Sequence, residues 1–381
     1  MNEISKLRAP GNERMKDLAS KETYMDTALA LAEVTIGQTS PNPSVGAVVV
    51  KDGKVIGMGS HLEAGSAHAE VHALRQAGET AAGAVMYVTL EPCSHHGKTP
   101  PCADLIVEHQ LAKVYIACLD PNPEVAGRGV ERLRQAGIEV EVGLRQEKAL
   151  ELNRRFFKQI REKSPFVTLK AAMTLDGKTA ASTGDSRWVT SAAAREDVHR
   201  QRDLHDAVLV GIGTVVADDP RLTVRLPEGG KQPIRIVLDS DLSIPAGSHL
   251  LTSPEAPTWL ICGSSADTEQ SKLIKPHVKV FQIGTKKVEL DSVLKLLGNE
   301  GVQSVYVEGG STVHGSFIET GLFDECHWYI APLLLGGSDA IPVVGGVSPE
   351  RMGLAKQLDI KSVEKIGGDL KVIAIPKKEA E

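Results

Sequence analysis

The stretch AHAEVHAL, residues 67–74, holds two histidines four positions apart with a carboxylate between them. Histidines at i and i+4 share one face of a helix, and zinc metalloproteases present two metal ligands in this way. Those enzymes place the glutamate directly after the first histidine, whereas here Glu70 follows His68 by two positions. We therefore expect only His68 of the pair to bind a metal, and we interpret His72 as an ordinary helix residue.

The missing ligands are expected in LEPCSHHGKTPPCADL, residues 90–105. Cys93 and Cys102 each follow a proline, and Cys102 begins an expected helix, where the helix dipole favours a thiolate. One histidine and two thiolates form a three-ligand zinc site with a fourth position left for water. With Glu70 as the proton carrier, this is the H-x-E…P-C…C pattern of zinc-dependent nucleobase deaminases. Eight residues separate the cysteines here instead of two, which leaves a longer loop beside the site.

Length and composition restrict the class of protein. A chain of 381 residues predicts two domains. Its formal net charge of −6 argues against a nucleic-acid partner, and no apolar run is long enough for a membrane span. Five cysteines without an apolar signal segment indicate a reducing compartment, so we expect free thiols and a cytoplasmic protein.

Strands and helices alternate along the chain, and in the second half this alternation predicts a largely parallel sheet covered on both faces. The polar residues 1–22 are expected to be a disordered leader. The pattern predicts a helix over residues 23–37, and the dipeptide Asp52-Gly53 predicts a hairpin turn. Ser66 is expected to cap the helix that contains HAEVH.

A long charged helix over residues 144–163 is predicted to end the first domain, so the expected domains are 23–163 and 164–381. Strand patterns then begin again, and the segments CHWYIAPLLLGG and DLKVIAIP are expected to form an antiparallel edge. In SVYVEGGSTVHGSF, residues 304–317, a strand ends in two glycines, and Ser311 or Thr312 can cap the next helix. Backbone amides at such a helix start suit a phosphate, but composition alone favours a plain strand–turn–helix connection.

Seven motifs together resemble the bifunctional riboflavin-biosynthesis deaminase–reductase family. In the first half they are TSPNPSVGAVVV (39–50), HAEVHAL (68–74) and EPCSHHGKTPPC (91–102). In the second half they are PFVTLKAAMTLDGKTA (165–180), GDSRWVT (184–190), GIGTVVADDPRLTVR (211–225) and VEGGSTVHGSF (307–317). The resemblance covers roughly residues 23–376.

The resemblance implies a cytidine-deaminase-like three-layer α/β/α domain followed by a dihydrofolate-reductase-like α/β domain. The first would use Zn2+ to deaminate 2,5-diamino-6-ribosylamino-4(3H)-pyrimidinone 5′-phosphate hydrolytically. The second would use NADPH to reduce the ribosyl group, giving 5-amino-6-ribitylaminouracil 5′-phosphate. The implied partner is this small pyrimidine ribosyl phosphate, and the implied assembly is a homodimer.

Site residues carried over by motif form three groups. Deaminase substrate contacts are expected at Asn42, His61, Lys98, Asp120 and Asn122. Reductase substrate contacts are expected at Ser186, Arg202, Leu222, Arg225, Glu308 and Lys170, the last because a lysine in an apolar run is costly to bury unpaired. Cofactor contacts are expected at Ala172, Trp188, Thr214, Asp218, Gly310, Ser311, Thr312, Val313, His314, Gly315 and Ser316.

Two other interpretations remain at this stage. One is a zinc deaminase for cytidine or for tRNA adenosine, fused to an unrelated domain. The other is a non-catalytic binding protein stabilised by zinc, in which His95 or His96 supplies a fourth protein ligand. Glu70 separates the second alternative from an enzyme, because a structural zinc site does not require a proton carrier.

Overall fold

The structure, a computed structural model, describes residues 20–94, 100–122, 125–270, 273, 275–284 and 286–377. The chain divides into two compact units, one that ends at Arg161 and one that begins at Glu162. The sequence-based domain boundary after residue 163 stays a prediction. Among the described residues, no helix combines the length and the apolar character needed to cross a membrane.

The helices and strands follow in chain order. Up to the end of the first unit they are α1 Lys21–Glu33, β1 Gly46–Lys51, β2 Lys54–Ser60, α2 Ala69–Ala77, β3 Val85–Val88, α3 Cys102–Glu108, β4 Lys113–Ile116, α4 Arg128–Gln135, β5 Glu139–Val142, α5 Gln146–Leu152 and α6 Arg154–Glu162. The remaining ones are β6 Phe166–Thr174, β7 Lys178–Ala180, α7 Ala192–Leu204, β8 Ala207–Gly211, α8 Ile212–Asp218, β9 Ile234–Leu238, α9 His249–Thr252, β10 Thr258–Cys262, β11 Val278–Gln282, α10 Leu290–Asn299, β12 Ser304–Val307, α11 Ser311–Thr320, β13 Glu325–Ala331, β14 Ile341–Pro342, β15 Leu358–Ile366 and β16 Asp369–Pro376.

The first unit is a three-layer α/β/α sandwich around a five-stranded sheet of order β2-β1-β3-β4-β5. Strand β1 is antiparallel to β2 and β3, and β3, β4 and β5 are parallel. Helices α2, α3 and α4 pack on one face, and α1, α5 and α6 contribute to the apolar cluster on the other. The predicted hairpin is confirmed: Asp52 and Gly53 have φ of 49° and 73°, as a two-residue turn with positive φ requires.

Helix α2 packs unusually close to strand β2 because both surfaces are made of small residues. A Cβ added at Gly57 would lie 2.1 Å from the carbonyl oxygen of Ala73, and one at Gly59 would lie 2.2 Å from that of Ala69. Larger residues at these two strand positions would force the helix away from the sheet. The start of α2, where His68 and Glu70 lie, is therefore positioned by glycine-to-alanine packing.

Several predicted helix boundaries were wrong. The first helix covers Lys21–Glu33 and not 23–37, so its first turn falls in the segment interpreted as a leader; Ser20 caps it by accepting from the amide of Thr23. His68, and not Ser66, is the N-cap of α2, because the Ser66 hydroxyl instead donates to the carbonyl of Glu63.

The predicted helix over 144–163 is two helices, α5 and α6, that are interrupted at Asn153. The buried Asn153 side chain accepts from the amide of Ser44 and donates to its carbonyl, both at 2.9 Å. These two bonds connect residues distant in sequence, so helix periodicity gave no sign of them. They attach the start of α6 to the segment that contains Asn42.

The second unit is built on a nine-stranded sheet of order β11-β10-β9-β8-β12-β6-β13-β16-β15. In this sheet order, the seven strands from β11 through β13 are parallel to one another, and β16 and β15 form an antiparallel edge. The expected antiparallel edge is thus present, although β13 itself is parallel to β6 and the outermost strand, β15, was not predicted. A small sheet pairs β7 with β14.

Candidate active sites

Three side chains of the first unit converge on one point between α2 and α3. His68 is the N-cap of α2, Cys93 follows β3, and Cys102 is the first residue of α3. The His68 Nδ1 atom lies 3.6 Å from Cys93 Sγ and 3.3 Å from Cys102 Sγ, and all three atoms are within 4.8 Å of one another. The amide of Ala103 donates to the carbonyl of Cys93, which holds the two cysteine segments together.

This donor set fits zinc. Imidazole and thiolate bind zinc at about 2.0–2.3 Å in tetrahedral geometry, which requires ligand atoms separated as these three are. The Cys93 thiol is suited to deprotonation, because a hydrogen bond from Cys102 lowers its pKa to about 4, with a further contribution from His68. Three protein ligands among the described residues leave one coordination position for water.

The alternative fourth ligands, His95 and His96, lie outside the described residues, as does the expected substrate contact Lys98.

Glu70 lies in the first turn of α2, close to the three candidate ligands. Its side chain is buried, and burial, assisted by the nearby Cys93, raises the pKa of its carboxyl to about 7. A carboxyl with this pKa can both accept and release a proton near neutral pH. Since His68 precedes the helix, His68 and Glu70 do not have to share a helix face to reach the same point.

A pocket of about 260 Å³ opens beside the candidate metal ligands. His61 lies in its wall, where the Nδ1 of the imidazole is 3.2 Å from the carbonyl oxygen of Ala67 and Nε2 is 3.0 Å from Nδ2 of Asn42. These contacts match an imidazole that donates from Nδ1 and accepts at Nε2. Burial lowers the pKa of His61, which favours this neutral form. The lining is Asn42, Pro43, Val45, His61, His68, Glu70, Leu90, Glu91, Cys93, Asp120, Asn122, Val125, Phe156 and Ile160.

The structure thus brings four of the five expected deaminase substrate contacts to one pocket: Asn42, His61, Asp120 and Asn122. Asp120 and Asn122 belong to one turn, in which the Asp120 carboxylate accepts from the Asn122 amide at 2.8 Å. The fifth, Lys98, is not among the described residues.

Sequence reasoning missed Glu91, which lies three residues after the end of β3 and just before Pro92-Cys93. Its buried carboxylate accepts from four backbone amides, those of Asp120, Gly127, Gly129 and Val130, at 2.9–3.3 Å. It thereby holds the turn that contains Asp120 to the start of α4. The charge of Glu91 in an otherwise apolar stretch of sequence could have indicated that its carboxylate has a specific structural role.

Phe156 and Ile160 were also missed. They lie four positions apart on α6 and line the same pocket. The sequence of α6 is dominated by charged residues, so no pattern in it indicated a pocket-facing pair.

The second unit has a cleft of about 610 Å³ at the carboxyl ends of β8 and β12. These strands are neighbours, but the chain continues from β8 to β9 on one side and from β12 towards β13 on the other. Such a reversal of strand order is where open α/β sheets bind their ligands. Gly211 and Gly310 are the N-caps of α8 and α11, and neither helix start has a side-chain cap. Uncapped backbone amides at two helix starts suit the phosphates of a dinucleotide, so the residues present fit NADPH.

Six of the expected cofactor contacts line this cleft: Thr214, Asp218, Gly310, Ser311, Thr312 and Val313. The expected cap by Ser311 or Thr312 was wrong, because the extended Gly310 precedes the helix and both hydroxyl residues are inside it.

The other expected cofactor contacts lie elsewhere. His314 and Gly315 are on the buried side of α11, where His314 packs against Trp328. Trp188 is 70% exposed, and its ring packs against Arg195. The remaining two are Ala172 on β6 and Ser316, whose hydroxyl donates to Thr312 in α11.

The expected reductase substrate residues include a buried ion cluster. The Glu308 carboxylate accepts from Arg202 Nε at 2.5 Å and Nη2 at 3.0 Å, and Lys170 Nζ is 3.5 Å away. Arg202 also donates to the carbonyl of Thr223, whose hydroxyl accepts from Arg225.

Two further expected substrate residues differ in accessibility. Ser186 lines the cleft together with Glu308. The Leu222 side chain is buried in an apolar cluster, and its backbone has a φ of 53°.

Comparisons with known proteins identify both units. Residues 18–118 match the family profile of the cytidine and deoxycytidylate deaminase zinc-binding region, and residues 165–372 match that of the RibD C-terminal domain. The riboflavin biosynthesis protein RibD of Bacillus amyloliquefaciens is 50% identical over 358 residues, which cover 94% of this chain and 96% of that protein.

Comparison with solved structures points to the same family. RibD of Acinetobacter baumannii has a TM-score of 0.86 and 40% identity, with 93% of this chain and 98% of that chain covered. A diaminohydroxyphosphoribosylaminopyrimidine deaminase/5-amino-6-(5-phosphoribosylamino)uracil reductase of Thermotoga maritima has a TM-score of 0.84 and 37% identity, with 93% and 98% covered. The predicted combination of a cytidine-deaminase-like and a dihydrofolate-reductase-like domain is confirmed. The chain belongs to the RibD family, the bifunctional deaminase–reductases of riboflavin biosynthesis.

Proposed function

We propose that this chain deaminates 2,5-diamino-6-ribosylamino-4(3H)-pyrimidinone 5′-phosphate and then reduces the product to 5-amino-6-ribitylaminouracil 5′-phosphate, with Zn2+ and NADPH as cofactors. The observation that carries this proposal is the convergence of His68, Cys93 and Cys102 beside the buried Glu70, at a pocket of about 260 Å³. The reductase unit in the same chain removes the alternative of a deaminase fused to an unrelated domain.

In the deaminase, His68, Cys93 and Cys102 would hold the zinc ion, which supplies a Lewis acid that makes a water molecule more acidic. Glu70 would take a proton from this water, whose oxygen would bond to the amine-bearing ring carbon, and would return a proton to the amine, so that the carbon–nitrogen bond breaks and ammonia leaves.

The polar residues of the deaminase pocket would bind the substrate itself. The amides of Asn42 and Asn122 and the carboxylate of Asp120 are suited to the polar edge of the pyrimidine. Lys98, carried over from the family motif, would meet the phosphate.

In the reductase, NADPH supplies the hydride when bound, and the protein's task is to align the cofactor with the sugar. The cleft between α8 and α11 would bind the cofactor through its uncapped helix starts. Arg202 donates two hydrogen bonds to Glu308, so its role would be to orient that carboxylate. Arg225 donates a hydrogen bond to the Thr223 hydroxyl, so its other N–H groups could bind the substrate phosphate.

We further propose a cytoplasmic homodimer that binds neither nucleic acid nor membrane. The five cysteines are free thiols, as a reducing compartment requires. Exposed apolar side chains concentrate late in the second unit, as expected for a surface that contacts a second copy. They are Leu333, Leu334, Leu335, Ile341, Val347, Met352, Leu354, Ile360, Val363 and Leu370.

The test is a coupled assay on the purified full-length chain, which follows ammonia release and NADPH oxidation with and without zinc. We expect zinc-dependent ammonia release followed by NADPH consumption. Glu70→Gln should keep its zinc but lose deamination by at least about a hundredfold, because the amide cannot carry the proton. Glu79→Gln, an exposed glutamate just after α2, is the matched control.

Ammonia release at the wild-type rate by Glu70→Gln would contradict the proposed mechanism. A folded, zinc-loaded wild-type chain that released no ammonia would instead favour the alternative in which zinc is purely structural.

A further inference from the structure

The pyrimidine pocket has an apolar wall that comes from α6, a helix outside the part of the chain that matches the deaminase zinc-binding region. Phe156 and Ile160 lie four positions apart and therefore on one face of this helix. Both line the pocket that also contains His68 and Glu70.

Phe156 is not an ordinary core residue. Its side chain is 9% exposed, yet it belongs to none of the apolar clusters formed by the described residues, whereas the adjacent Phe157 packs in the cluster with α1 and α5. The two rings meet edge to face with centroids 6.0 Å apart, and of the two only Phe156 lines the pocket. A buried aromatic ring that the core does not use is available to a ligand.

The break at Asn153 places α6 at the pocket. Asn153 makes two hydrogen bonds of 2.9 Å with the backbone of Ser44, two residues after Asn42. The apolar wall and the polar Asn42 segment are therefore attached to each other directly. The Asn153 backbone, with φ of −103° and ψ of 18°, departs from helical geometry between the end of α5 and the start of α6.

The remaining lining is consistent with a planar, polar-edged ligand. Asn42, His61, Asp120 and Asn122 supply hydrogen-bonding groups. The apolar part of the lining includes Val45, Leu90, Val125, Phe156 and Ile160. Aromatic side chains recognise heterocyclic bases through their faces, while polar groups recognise their edges.

We propose that Phe156, supported by Ile160, is the surface on which the pyrimidine ring of the substrate lies during deamination, so that α6 contributes to substrate specificity. This inference rests on the proposed function. Because the contact is made equally in the ground state and the transition state, its loss should change KM more than kcat.

The experiment compares Phe156→Ala, Phe156→Leu and Phe157→Leu in the full-length, zinc-loaded chain. Phe156→Ala should raise the KM for deamination roughly tenfold with kcat changed by less than about threefold, since one base–aromatic contact has about this effect. Phe156→Leu should give a smaller increase, and Phe157→Leu, one position away but outside the pocket, should leave KM within about twofold. Zinc content and reduction of supplied deaminated intermediate verify that each variant is folded.

A KM for Phe156→Ala within twofold of wild type, or an equal increase in Phe157→Leu, would overturn the inference and leave the proposed function intact. Wild-type protein that releases no ammonia would instead contradict the proposed function itself.

Discussion

Glu308 directly follows β12 and has a side chain that is only 9% exposed. Its cationic neighbours determine whether its carboxylate stays charged. Burial alone would raise its pKa, but the attraction of Arg202 and then of Lys170 outweighs burial and lowers the pKa to about 2. The ordinary value is 4.5, so the folded protein holds this proton less tightly than the unfolded chain does. Its contribution to stability is complete above pH 4.5 and is lost as the pH falls towards 2.

We therefore predict that the second unit loses about 3 kcal/mol of unfolding free energy from this group between pH 4.5 and 2. Arg202→Met should cost about 3–5 kcal/mol at neutral pH, because it leaves a buried carboxylate with one cation fewer. The same substitution should also reduce the unfolding free energy that is lost between pH 4.5 and 2, because the pKa of Glu308 is then lowered less. All three tryptophans, Trp188, Trp259 and Trp328, belong to the second unit, so urea unfolding followed by tryptophan fluorescence reports on it.

The control is Arg200→Met, on the same helix but exposed and paired with Glu196. We expect it to change the unfolding free energy by less than about 0.5 kcal/mol. If Arg202→Met kept the acid-dependent loss of the wild type, Arg202 would not be the partner that lowers the pKa of Glu308.

At the scale of elements, the close packing of α2 against β2 determines where His68 and Glu70 lie. Gly59 has no room for a Cβ: it would lie 2.2 Å from the Ala69 carbonyl oxygen and 2.6 Å from the Cβ of His72. Backbone atoms of a helix cannot move individually, so any added methyl group must move the helix as a whole. Such a movement would displace His68 and Glu70 relative to the two cysteines.

Gly59→Ala is accordingly predicted to destabilise the first unit by about 1–3 kcal/mol. It should also weaken zinc retention, measured as zinc per chain after dialysis against a competing chelator. Met58→Ala removes a larger side chain from the adjacent, 42% exposed position and should leave zinc retention unchanged. Full zinc retention in Gly59→Ala would show that the helix adapts without moving the ligands.

At the scale of the whole molecule, the two candidate sites draw on separate residues and separate cores. The pocket with the zinc ligands is lined by residues of the first unit, and the reductase cleft by residues of the second. Each unit has its own apolar clusters. Loss of one activity should therefore not require loss of the other.

Cys93→Ser is predicted to abolish ammonia release, because it removes a zinc ligand, while reduction of supplied deaminated intermediate stays within about twofold of wild type. Cys118→Ser is the control within the same unit, since this buried cysteine is outside the metal cluster and donates to the carbonyl of Thr89. A parallel loss of both activities in Cys93→Ser would indicate a shared folding defect.

The sequence by itself determined the features that depend on near neighbours or on residue chemistry. The Asp52-Gly53 turn follows from the positive φ that those residues tolerate. The set of His68, Cys93 and Cys102 follows from the ligand preferences of zinc, and the structure brings the three atoms within 4.8 Å. The alternation of strands and helices was sufficient to predict the largely parallel sheet of the second unit.

Tertiary structure decided the features that depend on contacts between distant segments. Asn153 interrupts a helical pattern because it bonds Ser44, more than a hundred positions earlier. Glu91 binds four amides that come close only when β3, β4 and α4 have packed. Phe156 faces a pocket and not the core because α6 starts where Asn153 places it. Periodicity reports which side of an element is apolar, but only packing determines what that side meets.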